Sequence, residues 1–333
     1  MDRRTLFKLG GVALAAPYLG KVSVAEAKSQ VLLYDTHCHL ISIDTNRYPR
    51  NGVSVGGNVQ ADTGGNRASA TQESFNSVRP DPTVGDVLQW MGQNNVDAAV
   101  AVQKKGTYGW DNSYILDSSD LIPDRFTAVA VVDSLAADTP AQVLKMAKEH
   151  NCAGIRVTGG QQPGSKFEWL LSDNAMKTWA AAHEAELTVD LMAVEQPPTY
   201  RTETIKNLGD VAKRFPNARL VINHMAWPDF TQKDFGMTDD LKRLAAMDNV
   251  YMKFTSINLS LLEAGNVNSA AFVRATVDAL GAENLMWGSD IGNSTGTYAE
   301  LVAKMVDACS RLNRKEQESI LSDSGRKAYR RHG

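Results

Sequence analysis

Val31-Leu32-Leu33-Tyr34-Asp35-Thr36-His37-Cys38-His39-Leu40 begins with four apolar residues and turns polar at its C-terminal end. A short apolar run bounded by polar residues predicts a buried strand. Side chains two apart on a strand share a face, so His37 and His39 project together. Two imidazoles converging from the end of a buried strand can share a metal ion or a substrate oxygen. Cys38 lies between them, is expected to face away, and reads as structural, not nucleophilic. Taken alone, the pair fits a solvated or core-satisfied pair equally well. The rest of the chain decides.

Apolar stretches recur at 96–103, 126–133, 154–158, 188–192, 219–224, 250–254 and 285–288, nearly all separated by segments of helical period. The first of these helices shows the pattern clearly, with Thr83 as N-cap and Val84, Val87, Leu88 and Met91 on one stripe. Counting the strand at Val31, eight strands are predicted. Strand-helix alternation demands parallel crossovers, and eight repeats over about 300 residues predict a (β/α)8 TIM barrel. A doubly wound open sheet is the alternative, weakened by the lack of a Gly-rich dinucleotide fingerprint after the first strand. The Gly/Asn/Ser-rich stretch at 42–82 has no periodicity and reads as a loop insertion, either a lid over the strand ends or a disordered segment.

Such barrels carry their active sites at the C-terminal strand ends. His37 and His39 fall at the end of strand 1, Gln103 of strand 2, Asp133 of strand 3, Arg156 and Thr158 of strand 4 and Met192 of strand 5. His224 ends strand 6, Lys253 lies on strand 7 and Asp290 follows strand 8. Each has an ordinary structural explanation, but His37, His39, His224 and Asp290 together have the chemistry of a metal site or of carbonyl hydrolysis.

The 333 residues are 43% hydrophobic and 22% charged with a net charge of -3, the composition of a soluble globular protein without a basic nucleic-acid footprint. Arg3-Arg4-Thr5-Leu6-Phe7-Lys8, the apolar stretch at 9–19 and Ala25-Glu26-Ala27 resemble a twin-arginine (Tat) signal, cleaved after Ala27. The Tat export machinery, a periplasmic location and no stable membrane anchor are therefore expected, with a single barrel domain at 28–333. Three cysteines without CxxC spacing argue against a disulfide framework.

Three motifs, Asp35-Thr36-His37-Cys38-His39, Asn223-His224-Met225-Ala226-Trp227-Pro228-Asp229 and Trp287-Gly288-Ser289-Asp290, resemble signatures of the amidohydrolase superfamily in its amidohydrolase-related branch. Arg47-Tyr48-Pro49, Gln103, the run from Gly109 to Tyr114, Gly154-Ile155-Arg156 and Tyr251-Met252-Lys253-Phe254-Thr255 narrow the resemblance to its pyrone-dicarboxylate and sugar-lactone hydrolases. The resemblance implies a hydrolase opening a lactone or related cyclic ester. It implies Asp290 as general base, and His37, His39 and His224 polarising the carbonyl directly or by holding zinc. Arg156, Lys253, Gln103, Asn112 and Tyr48 are the residues expected at the substrate, with Arg156 and Lys253 placed for a substrate carboxylate. Many members carry a carbamylated Lys or Glu on strand 4 and a His on strand 5, and neither is found here. A binuclear site is thus not expected: the alternatives are no metal or one zinc on His37, His39 and Asp290. No G-x-S-x-G elbow supports a serine route. A metal-dependent decarboxylase of the same branch and a non-catalytic periplasmic binding protein are the competing readings.

Overall fold

The computed structural model describes residues 31–50, 81–158, 168–192 and 201–330. The expected signal at 1–27 and positions 51–80 of the long insertion lie outside the described residues. The insertion's described ends are tied together by Ile41 N–H donating to Pro82 O (2.8 Å) and by Arg50 Nη1 with Asp81 Oδ2 (2.7 Å).

Eight strands pair in parallel and in sequence order: β1 Leu33–Cys38, β2 Val96–Val102, β3 Phe126–Val131, β4 Cys152–Thr158, β5 Thr188–Met192, β6 Arg219–Ile222, β7 Val250–Thr255 and β8 Leu285–Gly288. Helices alternate with them, which makes the chain a (β/α)8 barrel, as its alternation predicts. Closure between β8 and β1 is narrow. It consists of a parallel bridge between Cys38 and Ile291, with Asp290 N–H donating to His37 O (2.7 Å) and His39 N–H to Ile291 O (3.1 Å). The backbones approach so closely there that a Cβ on Gly288 would lie 2.5 Å from His37 Cβ. Only a glycine fits.

The two larger of three apolar clusters among the described residues hold the layers together. Strand and helix side chains such as Ile155, Trp179, Leu220, Phe272 and Trp287 form the larger one. The smaller gathers Tyr34, Val100, Val129, Val221, Tyr251 and Met286 from six strands with Ala328 and Tyr329 of the C-terminal segment. That segment sits at the N-terminal strand ends, where Thr188 Oγ1 (2.6 Å) and Arg219 Nε (2.5 Å) donate to Ala328 O. The N-terminal mouth of the barrel is thereby filled.

Several local features differ from the periodicity. Strand 6 stops at Ile222, not at His224, because His224, Met225, Ala226 and Trp227 all take left-handed backbone (φ 51, 56, 53 and 53°). The polar loop after β2 contains a short helix, Lys105–Tyr108, and a further helix, Ser256–Ala264, starts directly at the end of β7. Asn258 Oδ1 caps that helix by accepting from Thr255 N–H (3.0 Å), a start signal hidden in a mostly apolar stretch. All three cysteines are free and buried.

Candidate active site

β1 delivers His37, and the residue just past its end is His39, both buried, with ring centroids 5.0 Å apart. The turn after β8 delivers Asp290, whose Oδ1 lies 3.5 Å from His37 Nε2 and 3.3 Å from His39 Nε2. The turn after β6 delivers His224, with its ring centroid 5.7 Å from that of His37. Both His224 and Asp290 (φ 51°) occupy left-handed backbone, a conformation that costs an ordinary residue roughly 1 kcal/mol or more and collects at functional sites. The four residues expected to carry the chemistry are thus brought together at the C-terminal mouth.

Their hydrogen-bond partners fix which ring nitrogens are protonated. His39 Nδ1 lies 2.8 Å from Val102 O, a carbonyl that can only accept, so Nδ1 carries the hydrogen and Nε2 presents a lone pair. His224 Nδ1 contacts Thr255 Oγ1 at 2.6 Å, and that hydroxyl donates onward to Asn258 Oδ1 (3.3 Å). This order makes Nδ1 the protonated nitrogen of His224 too. Both nitrogens of His37 are buried without a partner. Burial holds all three rings neutral: it pushes His224 down to about 3, and His37 and His39 below the usual imidazole value, with Lys253 adding to the effect on His37. For Asp290, burial pulls upward, but positive charge around it, that of Arg156 included, holds the carboxyl below its ordinary value.

His37 Nε2, His39 Nε2 and Asp290 Oδ1 therefore direct acceptor electrons toward a common centre. Such a set wants positive charge, and the three donor atoms lie within 4.8 Å of one another. Two neutral imidazoles and a carboxylate suit one divalent cation, and the orphaned Nε2 of His37 is the nitrogen such an ion would satisfy. Val102 O behind His39 is the kind of outer partner that orients a ligating imidazole.

The expected substrate residues separate. Arg156 is buried, its Nε lacks a partner, and it forms no ion pair among the described residues. Its charge nevertheless acts on Asp290 and all three histidines. Gln103 spends Nε2 on Gly109 O and Asp111 O (both 2.9 Å) and keeps Oε1 buried and unpartnered. Lys253 is committed elsewhere: its Nζ pairs with Asp190 (2.9 and 3.2 Å), both side chains fully buried, and Tyr329 donates to the same carboxylate (2.7 Å). Asn112 bridges the end of β3, accepting from Val131 N–H (2.7 Å) and donating to Val131 O (2.9 Å). Tyr48 donates to Asp117 Oδ2 (2.7 Å). These last three hold the scaffold through bonds that a substrate would have to break.

Sequence reasoning missed Asn293, whose amide reaches His39 Nε2 (2.7 Å) and Asp290 Oδ1 (3.2 Å), and Asp35, whose Oδ1 accepts from His37 N–H (3.0 Å) and Ser289 N–H (2.8 Å). Asp35 stood inside the quoted motif. Asn293, in a Gly-Asn-Ser turn, carried only the signal of a turn.

Known proteins resemble this chain in sequence and in fold. The chain is 26% identical over 240 residues to an L-fucono-1,5-lactonase of Burkholderia ambifaria, spanning 68% of this chain and 77% of that protein. An amidohydrolase from Burkholderia multivorans, crystallised with bound zinc, superposes with a TM-score of 0.64 at 16% identity, over 90% of this chain and all of that one. A probable 2-pyrone-4,6-dicarboxylic acid hydrolase from Acinetobacter baumannii, with citric acid bound, gives 0.60 at 17% identity, over 90% and 99%. The amidohydrolase family profile matches residues 34–331, nearly the whole described chain including every residue of the site, and the chain belongs to the amidohydrolase family of hydrolases.

Proposed function

We propose that this protein hydrolyses a small carboxylate-bearing lactone at the His37–His39–His224–Asp290 cluster. The observation that carries the proposal is the meeting, at one barrel mouth, of three convergent acceptor atoms with a buried guanidinium that has no ion-pair partner among the described residues. The lactonase relative supports the choice of a cyclic ester.

Lactone opening needs an activated water, a base and positive potential at the carbonyl oxygen. Asp290 is the base. Its Oδ1 faces the histidines, while Oδ2 has among the described residues only a long contact from Ser294 Oγ (3.5 Å) and is the oxygen left to take a proton. Water adds its oxygen to the carbonyl carbon and gives a proton to Asp290. The ring C–O bond then breaks as the carbonyl re-forms, and the departing ring oxygen takes the proton back. The product is the open hydroxy acid. His224 Nε2, with its partner nitrogen occupied by Thr255, accepts a hydrogen bond from the water and orients it.

The histidine tautomers refine how the carbonyl is polarised. His39 and His224 have already placed their N–H groups on Val102 and Thr255, so neither has one to offer a carbonyl oxygen. His37 alone retains one. A divalent cation on His37, His39 and Asp290, zinc being the one expected, would supply the missing positive charge. Arg156 binds the substrate carboxylate, for which its planar fork is suited.

The test is turnover on a panel of carboxylated and sugar lactones, with and without chelator, beside Asp290→Asn. Opening of at least one lactone, lost by a factor of about a thousand or more in a folded Asp290→Asn, is expected. Near-parent turnover by that variant would overturn the mechanism, binding without turnover would favour a non-catalytic binder, and carbon dioxide release from an aromatic acid would favour the decarboxylase. We also infer export by the twin-arginine route from Arg3-Arg4 and the small residues near Ala27. A periplasmic protein beginning at Lys28 is expected, and a full-length cytoplasmic product would refute it.

A further inference from the structure

A second group already meets the lone pairs of the cluster. Asn293 Nδ2 lies 2.7 Å from His39 Nε2 and 3.2 Å from Asp290 Oδ1, the two acceptors that face each other across 3.3 Å. An amide nitrogen carries two hydrogens and only donates, so both contacts are N–H donation. The reverse orientation would set Oδ1 against two acceptors. The backbone preorganises the arrangement: Asn293 N–H donates to Asp290 O (3.1 Å), and Gly292 turns through φ 95° with its Cα against His39, where a Cβ would come within 3.0 Å of His39 Cβ.

A cation held by His39 and Asp290 needs those same two lone pairs. We propose that Asn293 is a built-in competitor for the metal, its amide satisfying His39 and Asp290 in the cation's stead, so that loading requires the Asn293 side chain to release both. The inference rests on the reading of His37, His39 and Asp290 as a cation site. It adds that this chain sets its own affinity downward through a residue that is not a ligand. The amide is neutral and returns only part of what a divalent ion gives, which makes the site exchangeable instead of permanently filled.

The experiment is zinc affinity by chelator competition on the full mature protein, comparing the parent with Asn293→Ala and Asn293→Ser, and thermal melting of each with chelator and with excess zinc. Asn293→Ala should bind zinc about tenfold more tightly, the equivalent of losing about 1.4 kcal/mol of competing hydrogen bonds. Asn293→Ser, which keeps one short donor, should fall between. Both variants should melt below the parent in chelator and draw level with it in zinc, because the amide's bonds are lost only where it makes them. Unchanged affinity would overturn the proposal. So would weaker affinity, which would make Asn293 a ligand or its support, and so would zinc binding to neither parent nor variant. Lactone turnover by the parent, measured alongside, separates the cases: if turnover stands while affinity is unmoved, the competitor role alone falls.

Discussion

Arg156→Met should weaken catalysis on a charged lactone without weakening the fold. Arg156 is 6% exposed, its Nε has no partner, and it forms no ion pair among the described residues, although Asp290 feels its charge. A guanidinium taken from water without a counter-charge costs stability, and a methionine of similar length removes that cost while keeping most of the packing. The variant should therefore unfold in urea at the parent midpoint or above it. Its catalytic loss comes from the substrate carboxylate, left in a dry site with nothing to bind. Truncating one partner of a buried, hydrogen-bonded charge pair costs about 2–5 kcal/mol. At 1.4 kcal/mol per factor of ten, that is a fall of roughly 30- to 3,000-fold in kcat/KM. An uncharged lactone of the same ring size should lose much less, only what passes through Asp290, whose carboxyl Arg156 helps to keep ionised. The assay is kcat/KM on this matched pair of substrates together with urea unfolding. Equal losses on both, or destabilisation beyond about 2 kcal/mol, would show that Arg156 is a structural cation and would refute the reasoning.

Three further outcomes follow from the same geometry. Asp190→Asn should cost about 3–5 kcal/mol in urea unfolding, since it strands the fully buried Lys253, whereas Asp190→Leu with Lys253→Met should recover most of that; a cost near zero for the single change would mean the pair is not desolvated. Gly288→Ala should lower lactone turnover by at least about tenfold, with a lower melting temperature, because the added Cβ lands 2.5 Å from His37 Cβ; parent-like activity would show that the β8–β1 seam can yield. Burial pushes the Cys309 thiol up to about 12 and Cys38 well above its ordinary value, so at pH 8 both are protonated as well as shielded. A thiol reagent should then label the native protein only as fast as it unfolds, and one rapid equivalent would contradict this.

The fold was legible because its signal is repetitive: eight apolar runs alternating with amphipathic ones leave few topologies to weigh. The site was legible to the extent that its residues occupy strand ends. His37 and Arg156 could be placed by counting along a strand, whereas His39, His224 and Asp290 lie just past strand ends, the last two on left-handed backbone that no period announces. Position alone could not separate a residue that faces substrate from one already satisfied. Lys253 and Arg156 look alike in sequence, both cations at strand ends, yet Asp190 of β5 neutralises one, and no described residue pairs with the other. That difference is set by register between strands distant in sequence. Asn112 and Tyr48 likewise have partners, at Val131 and Asp117, that no local pattern announces.

The left-handed residues explain why the seam of the barrel is also its active centre. β8 ends at Gly288, and a regular continuation would carry Asp290 along the strand direction, away from β1. Turning left-handed at Asp290 instead lets its N–H donate to His37 O at 2.7 Å while its carboxylate swings back over His37 and His39. One backbone hydrogen bond thus both closes the barrel and sets the base against the histidine pair. His224 uses the same device on β6, where four consecutive left-handed residues lift its ring toward His37, and Asn258 secures the turn by donating to His224 O (3.0 Å). The conformational cost at both turns is met by bonds the rest of the barrel makes anyway, so relaxing either turn should improve local backbone energy while moving a reacting group. Stability and activity are opposed at these two positions, and the histidine pair on its unstrained strand is the fixed reference against which both are set.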